Sequence, residues 1–124
     1  MSPELASVSV ERHEDVQVVR VAGEVDISNA GRLEADISDV VPNDAAGLVI
    51  DLSDTHYLDS AGIRMLFELH GRLEDRRQRL GAVVPADSLI RGALVVTEVD
   101  KALLIRETFN DAMAAVRSGE RPGE

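Results

Sequence analysis

The residue best placed for chemistry is Ser60, which stands between Asp59 and the small pair Ala61 and Gly62. A short apolar run, residues 48–52, and a polar stretch precede it, and apolar residues recur at helical spacing after it. This order predicts a buried strand, a loop over residues 53–59 and a helix that begins near Ser60. Sites in open α/β sheets lie beyond the carboxyl ends of the strands. The Ser60 hydroxyl is therefore a candidate phosphate acceptor, nucleophile or helix cap.

Capping is the commonest reason for Asp59 or Ser60 to stand at a helix start. Ala61 and Gly62, however, place almost no side chain around the hydroxyl. A glycine in the first turn costs about 1 kcal/mol of helix propensity relative to alanine. We interpret this cost as a sign of space kept open for another protein's active site. The same helix N-terminus is expected to accommodate a phosphate through its N–H groups and dipole.

Catalysis and metal binding have little support in the sequence. A nucleophile elbow requires G-x-S-x-G, and Leu58 occupies the first glycine position. Asp51, Asp54 and Asp59 lack the spacing of an EF-hand, and no glycine-rich phosphate loop occurs. We therefore expect no catalytic residue, metal or cofactor. Three histidines fall in a predicted strand, a loop and a helix, without an acidic partner in triad order: His13, His56 and His70.

A second polar stretch leaves the second predicted strand. Gly23 and Asp26 form a G-x-x-D pattern that is typical of a shaped turn, whereas Glu24 is more simply a solvated acidic side chain. Ser28 is expected to cap the helix that follows. Loops that follow parallel strands lie at the same edge of a sheet, so Asp26 and its neighbours are predicted to lie near Ser60.

Hydrophobic periodicity predicts the elements that position these residues. Helices are expected after Ser28, near Ser60, after a cap at Asp87 or Ser88, and after Thr108. Two strands followed by helix–strand units indicate a single α/β domain with a mostly parallel sheet, an antiparallel N-terminal hairpin and covering helices. The strands are predicted over residues 7–13, 16–22, 48–52, 80–84 and 103–106.

The composition is that of one folded domain. A chain of 124 residues with 44% hydrophobic residues supports a single core, which we assign to residues 5–117, with a disordered polar tail over residues 118–124. The net charge of −10 argues against binding nucleic acid or an anionic membrane. The absence of cysteine excludes disulfides and zinc–cysteine sites. The sequence shows neither a signal peptide nor a bilayer-spanning stretch, so a cytoplasmic location is expected.

Four motifs together make the chain resemble the STAS domain of the anti-sigma factor antagonist family, over about residues 7–116. The motifs are G-E-V-D at residues 23–26, D-L-S at 51–53, L-D-S-A-G-I at 58–63 and V-V-P-A-D-S-L-I-R-G-A-L at 83–94. The D-S-A-G motif after a strand is fairly specific to the family. The loop departs from the family in carrying Asp54, Thr55 and His56 where smaller or apolar residues are common.

The resemblance implies a regulator that is not an enzyme. In the family, the serine matched by Ser60 is phosphorylated by a cognate anti-sigma factor, which is itself a serine kinase. The unphosphorylated antagonist binds that kinase and frees a sigma factor, and a PP2C-type phosphatase resets the switch. Asp26 corresponds to a loop aspartate beside the phosphorylation site. The partner-binding residues implied here are Glu24, Asp26, Ser28, Asp59, Ser60, Ala61 and Gly62.

Two other functions remain open from the sequence. One is a STAS subunit of a stress-signalling or lipid-transport assembly, which would use the same surface without a sigma factor. The other is a receiver-like domain phosphorylated on Asp51 at a strand end. Against the second, the chain opens with two consecutive strands and lacks an acidic magnesium-binding pair after the first.

Overall fold

Six strands and four helices make up residues 5–122, the part of the chain that the computed structural model describes. The strands are β1 (Ala6–His13), β2 (Val16–Val25), β3 (Gly47–Asp51), β4 (Thr55–Leu58), β5 (Arg79–Val83) and β6 (Leu104–Arg106). The helices are α1 (Ala30–Val40), α2 (Ser60–Asp75), α3 (Arg91–Val96) and α4 (Phe109–Ser118), with a 3-10 turn over Val99–Lys101.

The strands form one mixed sheet in the order β1-β2-β3-β5-β6, and β4 pairs with β2 beside that path. β1 runs antiparallel to β2, with Val10 opposite Val19. The pairings of β2 with β3, β3 with β5 and β5 with β6 are all parallel. The predicted α/β architecture, with an antiparallel N-terminal hairpin and a mostly parallel remainder, is therefore confirmed.

Helices cover both faces of this sheet, which explains why every residue of β3 is buried. On one face, α1, α2 and α3 contribute apolar residues at helical spacing to the larger core: Leu33, Ile37, Ile63, Leu66, Leu69 and Leu94. On the other face, α4 packs against β2, β3, β5 and β6 through the second cluster: Ala112, Met113, Ala115 and Val116. The core is aliphatic, as the low aromatic content predicts.

The expectation of a loop over residues 53–59 is wrong, because that stretch contains β4. β2 continues to Val25, past the end of β3, and its last residues offer a free edge. Thr55 pairs with Gly23 and Leu58 with Val25, and the Thr55 hydroxyl donates to the Val21 carbonyl oxygen at 2.6 Å. A strand of four residues is too short to show a period in the sequence.

Two predicted helix caps have different outcomes. Neither Asp87 nor Ser88 caps α3; the Ser88 hydroxyl oxygen instead accepts from the Ile90 N–H in the turn before that helix. Thr108 is confirmed as the cap of α4, because its hydroxyl oxygen accepts from the Asp111 N–H at 3.1 Å. A capping side chain near an apolar period is therefore not enough to locate a helix start.

The predicted tail begins inside α4, because Ser118 is the last residue of that helix. Gly119, with a φ of 78°, ends the helix, and Glu120 forms an ion pair with Arg106. Residues 123 and 124 lie outside the described part of the chain, as do residues 1–4. The disorder of residues 118–124 and the domain limits 5–117 stay predictions. Within residues 5–122, no helix has the length and apolar character that crossing a bilayer requires.

A buried carboxyl lies where α1 packs on α2. The Glu34 side chain is only 10% exposed and approaches Arg72 of α2 at 3.2 Å. Burial, together with the hydrogen bond and charge of Glu68, raises the pKa of Glu34 to about 7 in spite of Arg72. The Glu34 carboxyl, in the contact between α1 and α2, is therefore protonated at mildly acidic pH.

We predict that this proton makes stability pH-dependent. Glu34 is protonated in both states below its unfolded value of 4.5 and loses its proton in the folded state near 7, so its contribution is full below 4.5 and is lost as the pH rises to about 7. The free energy of unfolding should fall by on the order of 3 kcal/mol across this window. Urea unfolding from pH 4.5 to 8 measures it. Glu34→Gln should remove this slope and Asp36→Asn, an exposed control on α1, should retain it; equal slopes in all three proteins would contradict the prediction.

Candidate functional site

The site is built around the carboxylate of Asp59, the N-cap residue of α2. Its Oδ1 accepts from the Ala61 N–H at 2.8 Å and the Gly62 N–H at 3.1 Å. A helix start leaves such N–H groups without partners, and an aspartate at the N-cap satisfies them. Asp59, and not Ser60, is therefore the residue that fixes the beginning of α2.

The same carboxylate also holds the loop between β2 and α1. Asp59 Oδ2 accepts from the Ile27 N–H at 3.2 Å. The Asp59 N–H in turn donates to the Val25 carbonyl oxygen at 3.2 Å, next to the pairing of Leu58 with Val25. Through these contacts, two loops that are distant in sequence become one surface at the carboxyl edge of the sheet. The predicted proximity of the β2 loop to Ser60 is thus seen in the structure.

Ser60 is the first residue of α2 and is exposed. Within residues 5–122 its hydroxyl makes no hydrogen bond, so the group is open to reaction with an outside molecule. No histidine within residues 5–122 forms a hydrogen bond with it: His13 and His70 pair with Glu11 and Glu74, at 3.0 and 2.9 Å. Nothing in the described chain activates the hydroxyl as a nucleophile.

Asp26 and Ser28 form the turn that leaves β2. The Ser28 hydroxyl and N–H both donate to Asp26 Oδ1. These hydrogen bonds lower the pKa of Asp26, and the bond from the hydroxyl has the larger effect. The expectation that Ser28 caps α1 is wrong, because Asn29 stands at the N-cap position. The Asn29 amide reaches back instead, accepting from the Asp26 N–H and donating to the Glu24 carbonyl oxygen, both at 2.9 Å.

Glycine is required where β2 changes partner. Gly23 has a φ of 114°, and a Cβ there would lie 2.2 Å from the Leu5 carbonyl oxygen. The register of β2 against β4 shifts between Gly23 and Glu24, which puts Glu24 opposite Tyr57 and leaves it exposed. The sequence pattern G-x-x-D therefore marks a strand irregularity followed by a turn.

The interpretation of Gly62 as space kept open beside Ser60 is wrong. Gly62 is buried, and a Cβ on it would lie 2.8 Å from Leu58 Cδ2 and 3.2 Å from the Val25 carbonyl oxygen. Ala61 is half-buried and packs against the core. The absence of a side chain at Gly62 therefore lets α2 approach β4 and β2 closely, and it does not widen the surface around the hydroxyl.

The expected phosphate-accommodating helix N-terminus also needs correction. Asp59 already occupies the N–H groups of Ala61 and Gly62. A phosphate on Ser60 would therefore lie beside a carboxylate, facing solvent, and the two negative charges would add.

The sequence analysis did not identify Ile27, an exposed apolar residue of this surface. Ile27, 84% exposed, stands between Asp26 and Ser28 and is presented by its backbone bond to Asp59. Tyr57 on β4 is 48% exposed. The available signal was an isolated apolar residue in a polar turn, outside the helical period that starts at Ala30.

The other candidate residues are not brought into this site. Asp51 is 4% exposed, and its carboxylate accepts from the Ser53 N–H and hydroxyl and from Arg20, which leaves it poorly placed to accept a phosphate. No cluster of three or more potential metal ligands occurs in the described residues.

Comparison with protein families gives the class of this fold and site. The family model described as STAS domain matches residues 7–112. The chain therefore belongs to the STAS domain family, which confirms the resemblance inferred from the motifs.

Individual relatives agree. The chain is 32% identical over 118 residues to the anti-sigma-F factor antagonist RsfB of Mycobacterium tuberculosis, covering 95% of each chain. The crystal structure of an anti-sigma factor antagonist from Mycobacterium paratuberculosis matches with a TM-score of 0.81 and 34% identity, covering 94% of this chain and 97% of that one. SpoIIAA, an anti-sigma factor antagonist solved in its unphosphorylated form, matches with a TM-score of 0.71 over 90% of this chain and 97% of that one; at 18% identity it shows the fold alone.

Two glycines of α2 provide a matched test of the packing beneath the site. Gly62→Ala should lower the free energy of unfolding by about 1–3 kcal/mol, because the methyl group would overlap Leu58 and Val25. Gly71→Ala, where a Cβ meets no atom within 4 Å, should raise it by about 0.5–1 kcal/mol through helix propensity. Urea unfolding of both variants measures the difference; a stabilised Gly62→Ala protein would contradict the assigned packing.

Proposed function

We propose that this chain is an anti-sigma factor antagonist. In its unphosphorylated form it binds a cognate anti-sigma factor serine kinase and releases a sigma factor. Phosphorylation of Ser60 ends that binding, and a PP2C-type phosphatase restores it. The observation that carries the proposal is an exposed, unbonded serine hydroxyl at the start of α2, within a chain 32–34% identical to anti-sigma factor antagonists over nearly its whole length.

The surface around Ser60 supports docking of a protein. Ile27 offers an exposed apolar side chain, and two acidic residues are near it in sequence: Glu24 in the last part of β2 and Asp26 in the loop that follows. Hydrogen bonds to Asp59 and Asn29 fix that loop in advance. A pre-ordered surface loses little conformational entropy on binding.

Charge explains how one phosphate would release the partner. A phosphate on Ser60 adds about −1.5 to −2 charges next to Asp59. A partner carboxylate about 6 Å away, at an effective dielectric constant of about 20, would be repelled by about 4–5 kcal/mol. This corresponds to a loss of roughly a thousandfold or more in affinity. No refolding of the domain is needed, because Ser60 already faces solvent.

We predict that the cognate kinase modifies Ser60. Incubation with the cognate kinase and ATP should place one phosphate on Ser60, as mapped by mass spectrometry, and Ser60→Ala should abolish it. Ser9→Ala is the control, because Ser9 is an exposed serine on β1 and is not among the predicted partner-binding residues. The phosphate should survive mild alkali, in which an acyl phosphate on Asp51 would hydrolyse. Modification that persists in Ser60→Ala would refute the proposal.

We predict that the charge of the side chain at position 60, and not its size, controls binding of the kinase. Ser60→Asp should weaken kinase binding about hundredfold, since one added charge at about 6 Å costs about 2–3 kcal/mol. Ser60→Asn introduces a neutral side chain of the same size as aspartate, and this variant should bind the kinase much more tightly than Ser60→Asp. Isothermal titration calorimetry measures both, and unchanged far-UV circular dichroism shows that the fold is kept. Equal affinities of the two variants would contradict the electrostatic mechanism.

A further inference from the structure

An open cleft of about 680 Å³ lies at the carboxyl edge of the sheet, between the start of β4 and the loop that follows β5. Its floor includes Gly23 and Pro85, and Thr55 and His56 of β4 contribute one wall. None of the partner-binding residues predicted from the sequence lines it. The cleft is therefore a separate feature from the surface around Ser60, although β4 connects the two.

Two acidic side chains and a large apolar one are among the residues that line this cleft. Asp54 and Asp87 are exposed, and neither forms an ion pair with a described residue. No lysine or arginine is found among the described lining residues. Leu89, at the rim, is 81% exposed although it lies directly before the buried Ile90. Two unneutralised carboxylates beside a large apolar side chain are complementary to a segment that carries arginine or lysine next to an apolar residue.

The distance to Ser60 argues for a shared partner. Thr55 in the cleft wall and Ser60 are five residues apart, so the chain between them spans at most about 17 Å. A standard protein interface covers about 800 Å² per partner, which is roughly 30 Å across. An interface of this size that includes Ser60 is therefore large enough to include the cleft.

We propose that the cleft is a second contact for the partner that engages Ser60, and that it holds a basic, partly apolar segment of that protein. This inference rests on the proposed function, because the occupant is the anti-sigma factor kinase. Leu89 would supply the apolar contact, and Asp54 and Asp87 would supply electrostatic attraction and selectivity. Because the carboxylates are exposed, this attraction should weaken as salt screens it.

The test measures the affinity of the full-length protein for the cognate kinase by calorimetry. Asp87→Arg and Leu89→Ser should each weaken binding about tenfold, as expected for reversal of a close charge and removal of an apolar anchor. Asp75→Arg is the control: it makes the same charge change on an exposed residue at the opposite end of α2, and it should change the affinity less than about threefold. Raising NaCl from about 0.05 M to about 0.5 M should narrow the gap between wild type and Asp87→Arg.

Ser60→Asp, measured in parallel, separates the two proposals. If Ser60→Asp loses binding but Asp87→Arg and Leu89→Ser behave like Asp75→Arg, the cleft inference is overturned and the phosphorylation switch stands. If the cleft variants weaken binding and Ser60→Asp does not, the cleft inference holds and the switch fails. No binding by the wild type would overturn both. Melting temperatures within a few degrees of wild type verify that each variant is folded.

Discussion

The carboxylate of Asp59 is the interaction on which the site depends. One oxygen terminates α2, and the other holds the backbone of the loop that follows β2. A single side chain thereby fixes both the start of α2, where Ser60 stands, and the backbone position of Ile27. Asp59 satisfies the helix N–H groups, and the Ser60 hydroxyl has no hydrogen-bond partner within residues 5–122. A phosphate added there would meet a negative neighbour. Exposure of the serine and the electrical effect of modifying it follow from the same contact.

The site lies over the larger apolar cluster, which includes Leu58 and Val25, and is remote from the smaller one. The second apolar cluster, between α4 and the sheet, lies on the face opposite α2 and the residues that flank Ser60. At the site itself, backbone geometry limits variation: Gly23 fits against Leu5, and Gly62 fits against Leu58 and Val25. The exposed side chains of the loops are free of such limits. Partner choice can therefore reside in the loops while the small residues beneath them keep the surface in place.

Much of the fold was predictable because it depends on periodicity. The continuous apolar run at β3 and the spacing of Ile63, Leu66 and Leu69 indicated a buried strand and its following helix. The short β4 was not predictable, since its pairing depends on how far β2 extends past β3, which is a tertiary property. The prediction that the loop after β2 lies beside the start of α2 was correct, as the bond from the Ile27 N–H to Asp59 shows. The role of Gly62 was not predictable, because only the structure shows that a side chain at this position would face inward, toward Leu58 and Val25.

The bond between Ile27 and Asp59 joins residues that are 32 positions apart. Bringing such distant segments together carries a loop-closure cost that is met only when the intervening sheet has formed. An incompletely folded chain, whether newly synthesised or partly denatured, would present the serine without the neighbouring loop. The complete surface around Ser60 therefore exists only in the folded domain.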